Sequence, residues 1–279
     1  MKRLPWLFIA FSLILGGCSS HQSTRLHVVA TTSMLSTVIQ DIGGDNVKCD
    51  VLVPPGSCPG HYDIRPGDMV SILNGGALYW QGYESFIPPL LNSLEKKNLK
   101  VCKVDVAGDW LIPDIYIRAG SVVERTLSGI DPTHAKQYAR NFKVLELQAQ
   151  RTGEAVLNEV HSVGAKNIRV LCSNQQTPLL KWMGFEVVGD YGRAEYFTPE
   201  NLHRLLTLAQ RRHVHLVVDN LQSGPDAGVQ LAHDVGAAHV TLSNFPGGFE
   251  DTPTWATCLQ RNAQILIDAI RKQRVSNQK

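Results

Sequence analysis

One long apolar stripe in the middle of the chain constrains the fold more than any other feature. Asp131 and Pro132 are typical of a helix start, because aspartate caps the first turn and proline fits within it. Apolar residues then recur at spacings of three, four or seven: Ala135, Tyr138, Phe142, Leu145, Ala149, Val156 and Val160. One helix that ends near Gly164 explains this spacing. Its length of roughly 45 Å is enough to connect two lobes.

Short apolar runs alternate with helical segments on both sides of this stripe. Near-continuous apolar runs of four to seven residues are typical of parallel strands covered on both faces. We predict strands over 26–30, 47–53, 77–80, 101–106, 168–172, 185–188, 215–219 and 239–242, and helices over 34–42, 177–183, 199–211, 227–235 and 254–271. The pattern therefore predicts an α/β protein with two similar lobes, parallel sheets, one long linking helix and a ligand cleft between the lobes.

This alternation also predicts where the chain divides. We expect a first α/β lobe over 26–117, a linker with the long helix over 118–164 and a second α/β lobe over 165–279. Loops at the carboxyl ends of the parallel strands should form the ligand site.

The N-terminus has the features of an export signal. Lys2 and Arg3 precede an apolar run over 4–17, which is too short to span a bilayer comfortably. The run ends in a Leu-Gly-Gly-Cys sequence that is typical of a lipid-attachment signal, so Cys18 is the predicted lipid-bearing residue. We predict a signal peptide over 1–17 and a polar tether over 18–25. The chain is then a membrane-anchored lipoprotein, in the periplasm or on the outer cell surface.

The charge balance argues against nucleic acid as a partner. The full chain has 27 basic and 25 acidic residues, and removal of Lys2 and Arg3 leaves 25 of each. A neutral chain without a basic run lacks the field that attracts phosphate backbones. Five cysteines remain if lipid takes Cys18, so they cannot all pair within one chain.

Two loops after predicted strands carry soft and nitrogen donors. Cys58 and His61 share a Pro/Gly-rich loop after the second strand, and a Cys-x-x-His turn can place both on one metal ion. A hydrogen-bonded loop histidine and a buried cysteine are the alternatives. In the second lobe, Cys172, Ser173 and Asn174 end the first strand, where helix capping is the competing interpretation.

Further polar residues follow other strands. Asp219 and Asn220 end one strand, and a carboxylate there can bind a metal or orient a histidine, whereas capping or turn formation is the alternative. Ser243 and Asn244 end the last strand. Asp114 supplies one hard oxygen in the loop before the linking helix, or caps the next segment.

Aromatic and cationic residues near the cleft suggest other ligands. Trp80, Tyr83, Trp110, Tyr116 and Tyr191 can stack on a flat ligand or pack the lobe interface. Arg193 can pair with an anionic ligand or with Glu195.

Several motifs resemble those of the zinc- and manganese-type (ZnuA/TroA-like) solute-binding proteins of ABC transporters. The stretch VPPGSCPGHYDIRPGD over 53–68 is similar to the family signature G-x-D-P-H-x-Y-E-P-x-P-S-D. The segment 112–116 takes the place of a second signature, and 247–266 resembles the last loop and helix of the family. The resemblance covers most of 26–275. It implies the two-lobe fold, an ABC permease as partner, and a transported divalent metal as ligand without an organic cofactor.

The metal-ligand positions of the family are altered in this chain. The first histidine position holds Gly60, with His61 one place later, and the second holds Asp114. The third falls on Ser173 or Asn174, and the fourth on Ser243 or Asn244. The resemblance therefore implies a divergent member.

These observations favour an extracytoplasmic solute-binding lipoprotein that works as a monomer and does no covalent chemistry. We expect a divalent metal ligated by His61, Cys58, Asp114, Asn174 and Asp219, with zinc favoured and manganese possible. The other possible cleft residues are Ser173, Cys172, Asn220, Ser243, Asn244 and Trp80. A small organic ligand or a metal chelate in the same fold is the alternative. A thiol-dependent hydrolase using Cys58 or Cys172 with His61 is the third hypothesis, although no GxSxG, HExxH or P-loop motif supports an enzyme.

Overall fold

The computed structural model describes residues 25–94 and 99–276. The predicted signal peptide, Cys18 and the tether up to residue 24 lie outside the described residues, so the lipid anchor stays a prediction. Within the described ranges, every helix is too short or too polar to cross a bilayer.

The first lobe is built on a four-stranded parallel sheet. Its elements are β1 (Leu26–Ala30), α1 (Ser33–Gly43), β2 (Val47–Val51), α2 (Pro66–Asn74), β3 (Ala77–Trp80), α3 (Ile87–Ser93) and β4 (Lys100–Lys103). The strand order is β2-β1-β3-β4, and every pair of neighbours is parallel. Thr32 caps α1 by accepting a hydrogen bond from the Leu35 amide at 3.2 Å.

The second lobe repeats this architecture. Its elements are β5 (Arg169–Ser173), α6 (Thr177–Trp182), β6 (Glu186–Tyr191), α7 (Pro199–Arg211), β7 (Leu216–Asn220), α8 (Val229–Val235), β8 (Ala238–Leu242) and α9 (Trp255–Ser276). The strand order β6-β5-β7-β8 matches that of the first sheet, again with parallel neighbours. The prediction of two similar α/β lobes is confirmed.

Two helices connect the sheets, and the sequence analysis found only the second. The predicted long helix is α5 (Ala135–Ser162), which follows a 3-10 turn over Pro132–His134. The preceding segment forms α4 (Pro113–Ile130), which packs along α5. Its buried residues recur at spacings of one, three and four: Pro113, Tyr116, Ala119, Gly120, Val123 and Leu127. The predicted boundary at 117/118 falls inside α4, and the domain division stays a prediction.

The long helix α5 contacts both lobes. It packs against α1 and α4 on one side and against α9 on the other. Gly153 permits the closest approach, since a Cβ atom there would lie 2.5 Å from the Pro113 Cγ. Leu145 and Val156 of α5 belong to a buried apolar cluster that also includes Val28 of β1 and Val170 of β5. The two lobes therefore share one continuous core.

Some predicted strands end earlier than their apolar runs. The second and fourth strands stop at Val51 and Lys103. Backbone hydrogen bonds continue beyond both ends, from the Val53 amide to the Thr31 carbonyl at 3.0 Å and from the Val104 amide to the Trp80 carbonyl at 2.8 Å. Two helices of the first lobe, α2 and α3, are absent from the predicted elements. Both are short and start at or next to a proline, so their apolar periodicity is brief.

A candidate ligand cavity between the lobes

A cavity of about 440 Å³ lies between the lobes. The first lobe lines it with Met34, Cys58, Pro59, Gly60, Gln81, Tyr83, Gly108, Asp109 and Trp110, and the second with Asn174, Gln175, Pro178, Arg193, Asn220, Gln222, Ser223, Asn244 and Phe245. Most of these residues follow the carboxyl end of a strand, where open α/β sheets bind ligands. The volume is typical of a small-molecule pocket.

A buried glutamate fixes the part of the first-lobe wall that follows β3. Glu84 is fully buried and accepts backbone hydrogen bonds from Gln81, Gly82 and Tyr83 at 2.9–3.1 Å. Its other oxygen accepts a hydrogen bond from the Thr31 hydroxyl after β1. A carboxylate that accepts several N–H groups holds them more strongly than a neutral acceptor does. Gln81 and Tyr83 are therefore held at the cavity.

Side-chain amides form most of the opposite wall. Asn244 Oδ1 accepts hydrogen bonds from Asn220, at 2.8 Å, and from the Gln176 side chain. The Gln222 oxygen accepts from the Asn244 backbone amide at 3.1 Å, and its Nε2 donates to Ser243 Oγ at 2.9 Å. These hydrogen bonds hold the amides in place as a polar surface, although Gln176 Oε1 is buried without a hydrogen-bond partner among the described residues.

Hydrogen bonds join the two lobes across the cleft. Gln222 Nε2 donates to the Pro55 carbonyl at 2.8 Å, and the Ser33 hydroxyl donates to the Pro246 carbonyl at 2.7 Å. The Arg193 guanidinium donates to the Cys58 sulfur. The described structure therefore has the two lobes in direct polar contact.

Asp109 brings a buried carboxyl to the cavity. Its Oδ1 accepts a hydrogen bond from the Leu111 amide at 2.9 Å. Its Oδ2 is shut off from water and has no hydrogen-bond partner within the described part of the chain. Burial raises the pKa of Asp109 to about 6, because a desolvated carboxylate is unfavourable.

Four of the predicted site residues meet at this cavity. Cys58 comes from the first lobe, and Asn174, Asn220 and Asn244 come from the second. Arg193 lines the cavity as well, and its Nη1 lies 3.6 Å from the Glu195 carboxylate. Both interpretations of Arg193 given above therefore fit the same position.

His61 and Asp114 lie elsewhere. His61 is exposed and faces a separate surface depression with Ser57, Cys58 and Tyr62 among its walls. Asp114 is exposed in the first turn of α4, where a negative charge is favourable next to the helix N-terminus. The structure therefore does not bring these two predicted ligands to Cys58 and Asn174 in the cavity.

Asp219 is a fully buried structural acceptor within the second lobe. It accepts hydrogen bonds from the Tyr191 hydroxyl at 2.6 Å and the Gly228 amide at 2.8 Å, and His239 Nε2 lies 2.7 Å away. The interpretation that it orients a histidine fits this geometry.

The other predicted cleft residues pack inside their lobes. Cys172 and Ser173 are buried, and Cys172 contacts the Thr177 hydroxyl at 3.4 Å. Burial raises the pKa of Cys172 to about 12, which disfavours the thiolate that a hydrolase needs. Ser243 is fully buried among Gln222, Phe245 and Asn262, and Trp80 lies beside Lys103 rather than at the cavity.

Within 25–94 and 99–276, no group of three or more His, Cys, Asp or Glu side chains is placed to hold a metal. The five cysteines in these ranges have free thiols. The polar side-chain groups of the residues that line the cavity are amides, the hydroxyls of Tyr83 and Ser223, one carboxyl, one thiol, one guanidinium and the indole of Trp110.

Gln81 and Asp109 line the cavity but are absent from the predicted site. Both lie in loops after predicted strands, and that position was the available signal. Gln175 and Gln222 belong to the polar segments 172–176 and 219–224, which follow predicted strands in the second lobe.

Curated relatives share part of this chain. It is 26% identical over 188 residues to the manganese-binding lipoprotein MntA of Bacillus subtilis, which covers 59% of this chain and 60% of the relative. It is 29% identical over 174 residues to the manganese ABC transporter substrate-binding lipoprotein PsaA of Streptococcus mitis, or 51% of this chain and 56% of the relative. The matched stretch thus spans less than two thirds of either relative. By name, both bind or carry metal rather than catalyse a reaction.

Solved structures confirm the fold. A Mn-bound periplasmic metal-binding protein from Candidatus Liberibacter asiaticus is 16% identical and superposes with a TM-score of 0.76, over 88% of this chain and all of the other. A crystal structure of ZnuA is 17% identical with a TM-score of 0.75, over 88% and 99% of the two chains.

The family model described as zinc-uptake complex component A, periplasmic (ZnuA), matches residues 28–269. That stretch contains both sheets, the linking helices and the cavity between the lobes. Because the family model matches most of this chain, the chain belongs to the ZnuA family.

Proposed function

We propose that this chain is the extracytoplasmic solute-binding protein of an ABC importer, and that the inter-lobe cavity holds its cargo. The observation that carries the proposal is the cavity of about 440 Å³ at the carboxyl edges of two sheets, lined from both lobes. The names of the relatives support the transport context. Binding and release need no covalent chemistry, so we propose no enzymatic activity.

The cavity favours a small organic ligand or a metal chelate over a bare ion. Bare divalent metals need several negative or imidazole donors in close array. The wall instead offers Gln81, Asn174 and Arg193, whose side chains suit hydrogen bonding to an organic molecule. A chelator would bring its own metal ligands, which agrees with a family whose relatives carry metal names.

A bare divalent metal is the second candidate. Cys58 and Asp109 both line the cavity, and Oδ2 of Asp109, which has no partner among the described residues, is a potential metal ligand once the carboxyl turns towards the cavity. A thiolate together with a carboxylate favours zinc over manganese. Of the five metal ligands predicted from the sequence, Cys58 and Asn174 line the cavity and could take part in such a site.

We further propose that lipid on Cys18 anchors the protein to a membrane and that a monomer delivers its cargo to an ABC permease. Substitution Cys18→Ser should remove the lipid mass from the chain and release it from membranes. Membrane retention of this variant would contradict the anchor and leave the cavity proposal unaffected.

Native mass spectrometry with elemental analysis tests the cargo. The full chain is purified in detergent without chelator, next to Gln81→Leu in the cavity and His61→Ala outside it. We expect an organic mass, with or without a metal, that Gln81→Leu loses and His61→Ala retains. A bound metal without an organic mass would favour the second candidate. If the purified protein carries no bound species, and none binds after metals or metabolite extract are added, the proposed function is contradicted.

A further inference from the structure

Two charged side chains of opposite sign line the cavity. Asp109 comes from the first lobe and Arg193 from the second. The other polar side chains of its lining are neutral amides and hydroxyls apart from the thiol of Cys58. A ligand that fills the cavity therefore lies beside one acidic and one basic side chain.

The carboxyl of Asp109 is held in place without a partner for Oδ2. Its loop is fixed because Trp110 Nε1 donates to the Val106 carbonyl at 2.9 Å, while Trp255 Nε1 donates to the Trp110 carbonyl at 2.7 Å. An unpaired buried carboxylate is unfavourable. Because Oδ2 is shut off from water, a cationic or N–H donor group of a ligand pairs with it once the carboxyl turns towards the cavity.

Arg193 presents the complementary group. Its side chain is 22% exposed, and contacts with Cys58 and Glu195 use only part of its five N–H donors. A planar guanidinium matches the two oxygens of a carboxylate. The Gln81 side-chain nitrogen, which has no hydrogen-bond partner in the described ranges, adds a neutral donor.

Apolar side chains complete the walls. Met34, Trp110 and Phe245 line the cavity beside the polar groups. A volume of about 440 Å³ accommodates an amino acid with a sizeable side chain and some water, whereas a single dehydrated ion would leave most of it unfilled.

We propose that the cavity selects amino-carboxylates: small dipolar molecules whose amine faces Asp109 and whose carboxylate faces Arg193, carried free or as a divalent-metal chelate. The opposite charges of the two residues match a ligand with no net charge but a large dipole. This inference rests on the proposed function, whose cargo it narrows to one chemical class.

Calorimetric titration of the full chain in detergent tests the class. The twenty amino acids are titrated with and without Zn²⁺, followed by the deaminated and decarboxylated analogues of the tightest one. We expect at least one amino acid to bind, and each analogue to bind at least about tenfold more weakly. Tighter binding with Zn²⁺ identifies the chelate as cargo, and unchanged affinity identifies the free molecule.

Two variants test which side chain contacts the amine of the ligand and which contacts its carboxylate. Asp109→Asn should lose discrimination against the deaminated analogue, and Arg193→Gln should lose discrimination against the decarboxylated one. Asp105→Asn and Arg212→Gln, which remove exposed ion pairs away from the cavity, should retain both. A loss of discrimination distinguishes direct contact from a general loss of stability.

The analogue comparison on the unmodified chain remains decisive if a variant does not fold. Binding of no amino acid, or equal binding of the analogues, overturns the proposal. If Zn²⁺ or Mn²⁺ alone then binds, the solute-binding function stands with a bare metal as cargo. If neither metals nor metabolite extract bind, the proposed function fails as well.

Discussion

Replacing Glu84 with glutamine tests how the first-lobe wall of the cavity is held. The buried carboxylate accepts hydrogen bonds from the backbone amides of Gln81, Gly82 and Tyr83 and from the Thr31 hydroxyl. Glu84→Gln preserves the size of the side chain and one acceptor oxygen. It removes the negative charge and turns the other oxygen into a donor.

The expected loss follows from these contacts. The remaining oxygen can accept the three N–H groups while the Thr31 hydroxyl turns to accept from the new amide. Each N–H bond then changes from charge-assisted, about 2 kcal/mol, to neutral, about 1 kcal/mol. The free energy of unfolding should fall by about 3 kcal/mol. For a chain of this size, that lowers the Tm by about 6 °C.

Chemical and thermal denaturation measure this loss, with Glu124→Gln as a matched control. Glu124 accepts one hydrogen bond from the Ser128 hydroxyl on α4, so its substitution should cost less than about 1 kcal/mol. A loss below about 1 kcal/mol for Glu84→Gln would refute the reasoning. It would mean that burying the carboxylate costs as much as its hydrogen bonds return.

Three further predictions concern the helices, the second lobe and pH. Gly153→Ala should destabilise the chain by about 1–3 kcal/mol in denaturant titration, because the new Cβ would lie 2.5 Å from the Pro113 side chain. This loss outweighs the higher helix propensity of alanine, and a gain in stability would contradict the close packing. Asp219→Asn should lower the Tm but leave cargo affinity in the cavity within about twofold, and a large loss of affinity at unchanged Tm would restore Asp219 as a ligand. The folded pKa of Asp109, about 6, exceeds its unfolded value of 3.8, so its contribution to stability is full below about pH 4 and is lost as pH rises through about 6. Between about pH 4 and 7, the free energy of unfolding of Asp109→Asn should fall less than that of the unmodified chain. The same pH dependence in both proteins would contradict the raised pKa.

The sequence predicted the repeated α/β pattern because buried parallel strands leave a local signal. The strands at 26–30 and 77–80 and the helix at 199–211 match their predicted bounds. By contrast, α4 is absent from the predicted elements although its buried residues recur at helical spacing.

The site was less predictable, because a strand end does not reveal where its side chains point. Asp219 and Asn220 are neighbours at the end of β7, yet Asn220 lines the cavity and Asp219 turns into the second lobe. Alternation along a strand sends adjacent residues to opposite faces, and one sequence does not say which face meets the cleft. Similarly, His61 shares a short loop with Cys58 but faces the outer surface.

The apolar cluster that continues from the first sheet through α5 into the second sheet has a consequence for transport. Lobes with separate cores can swing apart on a flexible hinge, whereas these cannot separate widely without exposing that cluster to water. We expect a single cooperative unfolding transition in calorimetry and nearly equal radii of gyration with and without cargo. A permease would then distinguish the loaded protein by small rearrangements at the mouth of the cavity rather than by a change in its overall shape.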